Sequence, residues 1–288
     1  MWGVVINPIS GRGAGAQFGV RVTDFLSNNG VSYRIISGAS AENTREALRV
    51  FLSTESCEGV IAVGGDGLVH LVLQQVAGTK VPMAVVPAGT GNDFYRTLGW
   101  PLDNLEKVLS AVLYSPPTPV DLGIVDGEWF GAILSTGFDS LVNERANKMV
   151  WPKGPMKYNV AILLELLGFS PRKYELSLDG VKITTQAMLI AVGNGSSYGG
   201  GMKACPGADV HDGLFDVMVL SPISKFKFLR VFPRVYSGTH VTHPAVRIYR
   251  GKEISIDADA VAYADGERVG PLPVKAECVS GALLTWCE

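Results

Sequence analysis

Gly64-Gly65-Asp66-Gly67 sets one carboxylate among three glycines, directly after the apolar run Val60-Ile61-Ala62-Val63. Glycines allow positive φ and close approach of a ligand to the backbone. The uninterrupted stretch Leu68 to Val76 predicts a helix whose free N–H groups face that turn, a geometry suited to phosphate. An aspartate beside a phosphate is repulsive unless a divalent cation lies between them or the carboxylate takes a proton from an attacking hydroxyl. Both remedies point to phosphoryl transfer; the plainer reading keeps Asp66 as a helix N-cap. Asn7-Pro8-Ile9-Ser10-Gly11-Arg12-Gly13-Ala14-Gly15 follows a second apolar run, Trp2 to Ile6, and precedes an expected helix from Ala16 to Asn28. It has neither the GK[ST] of a P-loop nor the spacing of G-x-G-x-x-G. It is either a backbone cradle with Arg12 as charged partner or a solvent loop of turn formers. A third loop, Pro87-Ala88-Gly89-Thr90-Gly91-Asn92-Asp93-Phe94, follows Met83 to Val86 and offers the Thr90 hydroxyl, the Asn92 amide and the Asp93 carboxylate. Capping of a helix near Phe94 explains Asp93 as well as catalysis does.

The elements that must position these loops alternate. Strand signals at Trp2–Ile6, Val31–Ile36, Val60–Val63 and Met83–Val86 are separated by helical stretches, among them Ala41–Leu52. That alternation predicts a parallel sheet covered by helices, with ligands beyond the carboxyl ends of its strands. All three loops then leave one edge. After an expected helix Asn104–Leu113, Pro116-Pro117-Thr118-Pro119 marks a boundary, giving domains 1–118 and 119–288. Strand signals dominate beyond it: Val120–Val125, Trp129–Leu134, Tyr174–Leu178, Thr184–Val192, Leu214–Leu220, Ala245–Tyr249, Glu253–Ile256, Val274–Val279 and Ala282–Trp286. Asp126-Gly127 and Asp179-Gly180 suit hairpin turns. The fold class expected is an N-terminal parallel-sheet α/β domain followed by a C-terminal antiparallel β-sandwich, with helical insertions at Ser140–Lys148 and Lys157–Leu167.

Composition bounds the chemistry. The 288 residues, 47% apolar, support a large core, and a net charge of −2 gives no basic footprint for nucleic acid. Cys57, Cys205, Cys278 and Cys287 have no metal-ligand spacing and no secretory signal precedes them, so they read as reduced thiols of a cytoplasmic protein. The four histidines show no zinc-site spacing either. Val160–Leu167, broken by Glu165, is far short of the roughly 20 residues that span a bilayer, so membrane contact is expected to be peripheral. Trp100, Trp151, Ile162, Leu163, Leu166, Leu167 and Phe169 either line a lipid pocket, touch a membrane surface or belong to the core. Exposed sandwich edges leave a homodimer open.

Taken in order, Asn7-Pro8-Ile9-Ser10-Gly11, Gly64-Gly65-Asp66-Gly67, Pro87 to Phe94, Val120-Asp121-Leu122-Gly123, Asn194 with Tyr198-Gly199-Gly200-Gly201, Ala208 to Asp216, and Asp265-Gly266-Glu267 resemble the diacylglycerol kinase catalytic-domain family. The likeness is to its bacterial soluble lipid kinases, relatives of sphingosine kinases. The resemblance implies an N-terminal domain like those of NAD kinases and phosphofructokinases, and ATP with magnesium in a cleft. It implies nucleotide contacts from Asn7, Pro8, Ser10, Gly11, Arg12, Ser37, Gly64, Gly65, Gly67, Leu68, Gly89, Thr90, Asn92 and Asp93. It places a structural magnesium on Asp212 with backbone oxygens of Asp209 and Leu214, and matches Glu267 to the general base that works with Asp66. On residue grounds alone, Asp212-Gly213 is equally a turn, and Asp265-Gly266-Glu267 a hairpin tip.

The family commonly has threonine and then asparagine where this chain has Leu68 and His70. The expectation is an ATP-dependent lipid kinase acting at a membrane surface, with diacylglycerol as acceptor. A sphingoid base, another lipid alcohol or NAD would present a similar hydroxyl. The rival is a nucleotide-binding regulatory module with weak catalysis.

Overall fold

The computed structural model describes residues 1–102, 104–149, 151 and 155–288, with the side chains of residues 155–159 outside the description. It divides into two compact units. The first comprises Met1–Leu122, Val210–Asp212 and Val279–Glu288; the second comprises Gly123–Asp209 and Gly213–Cys278.

The first unit runs β1 (Trp2–Ile6), α1 (Ser10–Asn28), β2 (Tyr33–Ile36), α2 (Ala41–Thr54), β3 (Gly59–Gly64), α3 (Asp66–Val76), β4 (Met83–Pro87), α4 (Asp93–Thr97) and α5 (Leu105–Tyr114). The four strands form a parallel sheet in the order β2-β1-β3-β4. Val60 to Val63 are fully buried in β3, as an apolar strand covered on both faces must be. Helix α2 starts on Ser40, whose hydroxyl accepts the amide of Asn43 at 3.1 Å. The segment 279–288 completes this unit. Thr285 Oγ1 donates to the Met83 carbonyl, Gly78 N to the Ala282 carbonyl, and the buried Trp100 indole to the Trp286 carbonyl. The rings of Trp2 and Trp286 lie 6.0 Å apart.

The strands and helices that follow are β5 (Thr118–Val125), β6 (Glu128–Phe130), β7 (Ile133–Gly137), α6 (Phe138–Lys148), α7 (Pro155–Gly168), β8 (Arg172–Leu178), β9 (Val181–Ala187), β10 (Leu189–Gly193), β11 (Phe215–Leu220) and α8 (Lys225–Val231). After two short 3₁₀ turns come β12 (Val246–Gly251), β13 (Glu253–Asp257), β14 (Val261–Ala264), β15 (Glu267–Pro271) and β16 (Val274–Thr285). They make two six-stranded sheets, β12-β11-β10-β7-β14-β15 and β6-β5-β16-β13-β8-β9. The cut between the units falls inside β5 and inside β16.

The second unit is a β-sandwich. Phe215, Val217 and Val219 of one sheet meet Tyr174, Leu176 and Ile254 of the other in a shared core. Tyr174, Leu176 and Leu178 alternate with exposed or half-buried residues, the mark of a strand with one buried face. Strands β10 and β11 are buried throughout, because their other face carries helices. There Met218 and Leu220 pack with Phe138, Leu166, Phe169 and Phe228.

Four strand expectations change. Trp129–Leu134 is two strands in different sheets, because the amides of Gly131, Ala132 and Ile133 leave the ladder and bond the Asp265 carboxylate at 2.6, 2.9 and 3.1 Å. Thr184–Val192 is likewise split between sheets at Met188, whose amide is taken by the Leu220 carbonyl. Val274–Val279 and Ala282–Trp286 are instead one strand, β16, which passes through Gly281 at φ 63°. Val261–Ala264 and Glu267–Pro271 form a hairpin whose tip, Asp265-Gly266, the sequence suggested but whose two strands it did not. Pro119 lies inside β5 and not in a linker; its partner β6 reaches only Gly123 to Val125, so the missing N–H costs no ladder bond on that side.

Candidate active site

The carboxyl ends of β1, β3 and β4 bring the three glycine loops of the first unit together. Gly11 has φ 55°, and a Cβ on it would lie 2.1 Å from the Ala88 carbonyl oxygen, so loops one and three touch where only glycine fits. A Cβ on Gly89 would lie 2.6 Å from the Gly65 Cα, which joins loops two and three just as closely. Loop one turns through three successive residues at positive φ, Gly11 (55°), Arg12 (59°) and Gly13 (98°), before the regular part of α1 begins. Arg12 is exposed and carries a side chain in a region that favours glycine.

Asp66 is the tie between loops two and three. Its Oδ2 accepts the Asn92 amide at 3.1 Å and its Oδ1 the Asp93 amide at 3.0 Å. The cap of α3 is Gly65, without a side-chain bond, so Asp66 does not cap its own helix. Nor does Asp93 cap α4; the cap position is Asn92, in the left-handed region at φ 53°. Asn92 and Gly89 bond reciprocally, Gly89 N to Oδ1 and Nδ2 to Gly89 O, both at 3.0 Å. The loop is thus fixed from two sides, and the first turn of α3 presents amides at Gly65, Asp66 and Gly67 that have no acceptor within the helix. Ser10 Oγ lies beside Gly65. Thr90 and Gly67 are exposed, and Gly64 is buried.

Leu68 points inward. Its side chain packs on Gly64, and its amide donates to the Gly65 carbonyl at 3.0 Å. Asn7 holds its own loop, with its amide on the Val63 carbonyl and Oδ1 accepting from Ile9 N. Pro8 and Ser37 line an open apolar depression with Ile6, Ala16, Val20 and Ile35 at the ends of β1 and β2.

In the second unit, Asp265 and Gly266 form the two-residue turn between β14 and β15, with φ of 50° and 86°, and Glu267, exposed, opens β15. The three amides on the Asp265 carboxylate hold that turn against the 131–133 loop. Buried Asn194 braces the same loop, donating Nδ2 to the Gly131 carbonyl at 2.8 Å. Asp209 and Asp212 are exposed, and Leu214 is half-buried just before β11. No cluster of three His, Cys, Asp or Glu side chains able to hold a metal occurs among the described residues. A magnesium here would depend on main-chain oxygens beside the Asp212 carboxylate, an all-oxygen set that suits the ion.

One buried carboxylate went unnoticed in the sequence. Asp139, in the first turn of α6, has both oxygens buried with no hydrogen-bond partner among the described residues. Burial pushes its carboxyl up to about 6, while the nearby Ser135 and Tyr198 hydroxyls pull the other way. An acidic residue two positions beyond Gly137, where β7 ends, was its only sequence signal.

Of the apolar residues offered for a lipid pocket, Trp100, Leu166 and Phe169 are core, Ile162 is half-buried, and Trp151, Leu163 and Leu167 are exposed. No helix among the described residues is long and apolar enough to cross a membrane.

Residues 1–125 match the model of the diacylglycerol kinase catalytic domain, and residues 132–286 that of the YegS C-terminal NAD kinase beta sandwich-like domain. A diacylglycerol kinase of Mycobacterium tuberculosis (strain ATCC 25618 / H37Rv) is 38% identical over 284 residues, covering 96% of this chain and 92% of that protein. The diacylglycerol kinase of Bacillus subtilis (strain 168) is 26% identical over 275 residues, covering 94% and 90%. The crystal structure of a diacylglycerol kinase from Bacillus anthracis str. Sterne superposes with a TM-score of 0.79 at 22% identity, over 100% of this chain and 96% of that one. That likeness shows a shared fold, and with the sequence matches it leads to one conclusion: the chain belongs to the diacylglycerol kinase catalytic-domain family.

Proposed function

We propose that this chain transfers the γ-phosphate of ATP to the hydroxyl of diacylglycerol, giving phosphatidic acid. The coarser statement, a kinase acting on a lipid, rests on the family and on relatives named diacylglycerol kinase. The observation that carries the finer one is the junction of three glycine loops around Asp66, where backbone amides at the start of α3 meet a loop too close-packed at Gly89 for any side chain there. Such amides suit the phosphates of a nucleotide. Gly64, Gly65, Gly67, Gly89, Thr90, Asn92 and Asp93 form this surface, with Leu68 contributing backbone only. Asn7, Ser10, Gly11 and Arg12 border it, and the apolar depression at Pro8 and Ser37 offers a bed for the base.

The transfer forms one O–P bond to the lipid oxygen, breaks the bond to the β-phosphate oxygen, and releases the hydroxyl proton. We assign that proton to Glu267, whose exposed carboxylate is free to approach an acceptor. Asp66, with both oxygens on amides, holds the loop and the charge beside the transferred group. Magnesium, when bound, would neutralise phosphate charge, and Asp212 with the Asp209 and Leu214 carbonyls would hold a structural ion. Peripheral association with a membrane surface, in the cytoplasm, completes the reading.

The second reading, a nucleotide-binding module with little catalysis, is favoured by one observation. Leu68 supplies no hydroxyl and His70 leaves a buried Nδ1 without a partner among the described residues. Transfer of label from γ-labelled ATP to a panel of diacylglycerol, sphingosine, another lipid alcohol and NAD decides. Label on diacylglycerol above the others supports the proposal; nucleotide binding with no labelled acceptor supports the module.

A further inference from the structure

The Glu267 side chain makes no hydrogen bond or ion pair with any described residue, and it stands on β15, an edge strand bonded on one side only. Such a position gives a carboxylate reach toward an acceptor but little definition, because exposed ladder bonds open easily. Its neighbours supply the definition. Two residues before it, the Asp265 carboxylate takes the amides of Gly131, Ala132 and Ile133. One residue after it, Arg268 lies opposite Tyr263 across the hairpin. The register then slips so that Ala262 faces Gly270, which leaves Val269 as an extra residue in a bulge directly after Arg268. Bulges twist a strand and re-aim the side chains beside them.

The Arg268 side chain is carried to α6. Tyr263 pairs with Ser135 of β7, and Ile133, on the same face of β7, packs with Phe138 and Val142 of α6. Arg268 Nε comes within 3.6 Å of Glu144 Oε1 on that helix. Burial, and then Glu144, push the Tyr263 phenol up while Arg268 pulls it down, so the three side chains form one cluster. Helix α6 is a firm partner. Phe138, Val142 and Ala146 belong to the core, and Arg145, next to Glu144, is paired with Glu165 of α7. Glu267 thus stands between two anchored residues with its own carboxylate left open.

We infer that Arg268 and Glu144 are positioning residues for phosphoryl transfer: their ion pair pins the start of β15 to α6 and so holds the Glu267 carboxylate where it meets the acceptor hydroxyl. The inference rests on the reading of Glu267 as the group that takes the proton. Position here outweighs bond strength. A half-exposed ion pair contributes little to stability, yet a reacting group displaced by about 1 Å loses up to roughly a hundredfold in rate. An ion pair that served only the surface would leave the rate untouched.

The test compares R268Q, E144Q, R268Q/E144Q and the conservative R268K by label transfer from ATP to diacylglycerol dispersed in detergent. R268Q and E144Q should each lower kcat about tenfold, with KM for ATP within about twofold of the parent. The double variant should be no slower than R268Q, since both changes remove the same contact. R268K should recover to within about threefold of the parent, because a single 3.6 Å contact needs the charge and not the guanidinium fork. Melting temperatures should stay within about 3 °C of the parent. Hydrogen exchange across residues 261–271, read without substrate, should quicken in R268Q and E144Q alike. Additive losses in the double variant overturn the inference, and so does a slow R268Q beside a parental E144Q, since Arg268 then acts without α6. A parent that labels diacylglycerol with a kcat indifferent to both single variants refutes the positioning role alone. A parent that labels no acceptor refutes the kinase reading and the positioning role with it.

Discussion

Replacing Asp66 by asparagine separates architecture from chemistry. The carboxylate accepts amides at 3.1 and 3.0 Å, one on each oxygen. In D66N one oxygen remains an acceptor, while the new NH₂ group faces a backbone N–H, donor against donor. A hydrogen bond to a charged group is worth roughly 1.5–3 kcal/mol, and because Asp66 is half-buried the lower part of that range applies, about 2 kcal/mol. For a chain of this size that lowers the melting temperature by about 6 °C. If Asp66 also holds charge beside the transferred group, kcat should fall by about two orders of magnitude or more. The assay is label transfer to diacylglycerol well below the melting temperature, with nucleotide binding measured alongside. N92G is the control: it breaks the reciprocal bonds with Gly89, relieves a left-handed side chain, and leaves the backbone amide on Asp66. It should loosen the loop and raise KM for ATP with a smaller change in kcat. D66N at the parental melting temperature and parental rate would refute the whole argument; a lower melting temperature with the parental rate would leave Asp66 a purely structural tie.

R12G should raise the melting temperature by about 3 °C, since a side chain at φ 59° costs roughly 1 kcal/mol. It should also raise KM for ATP about tenfold if the guanidinium contacts phosphate, and an unchanged KM removes Arg12 from the site. D139N tests the buried carboxyl, which burial pushes up to about 6 from the ordinary aspartate value of 3.8. The folded state holds this proton more tightly, so stability is lost as pH rises through that window. D139N should therefore match the parent near about pH 3.5 and exceed it above about pH 7 by up to ~3 kcal/mol in urea unfolding; no pH-dependent gap would mean the carboxylate is solvated. D265N keeps the turn preference but gives up an acceptor for one of three amides, so it should lose about 2 kcal/mol of stability. Its kcat should drop with KM for ATP unchanged if Glu267 takes the proton, and a parental kcat would argue against that role.

The parallel sheet was legible because β1, β3 and β4 are apolar runs closed by glycine or proline, and a parallel sheet delivers every loop to one edge. Val60 to Gly67 could thus be recognised as part of a larger loop cluster before its neighbours were located. What held the cluster was not legible: the partners of Asp66 lie 26 and 27 residues away, and local patterning offers an N-cap instead. In the sandwich, strand content was readable from alternation, but sheet membership was not. The chain changes sheets at Gly131-Ala132, where one glycine sits inside an apolar run, and at Met188, where no breaker interrupts the pattern; the bonds that force the change come from Asp265 and Leu220. Asp139 escaped notice because burial is a tertiary property, and a lone acidic residue near a helix start looks ordinary.

The segment 279–288 carries a consequence for biosynthesis. A ribosome completes Met1 to Leu122 long before it makes Thr285 and Trp286, yet those late residues supply the partner for the Met83 carbonyl and the ring beside Trp2. The first unit therefore emerges first and is finished last, with Trp2 and Trp100 waiting for their Trp286 partner while the sandwich is translated. Its maturation waits on the synthesis of residues 279–288, and a nascent chain halted before residue 279 would carry all three glycine loops without the Thr285 bond to Met83 or the Trp286 ring.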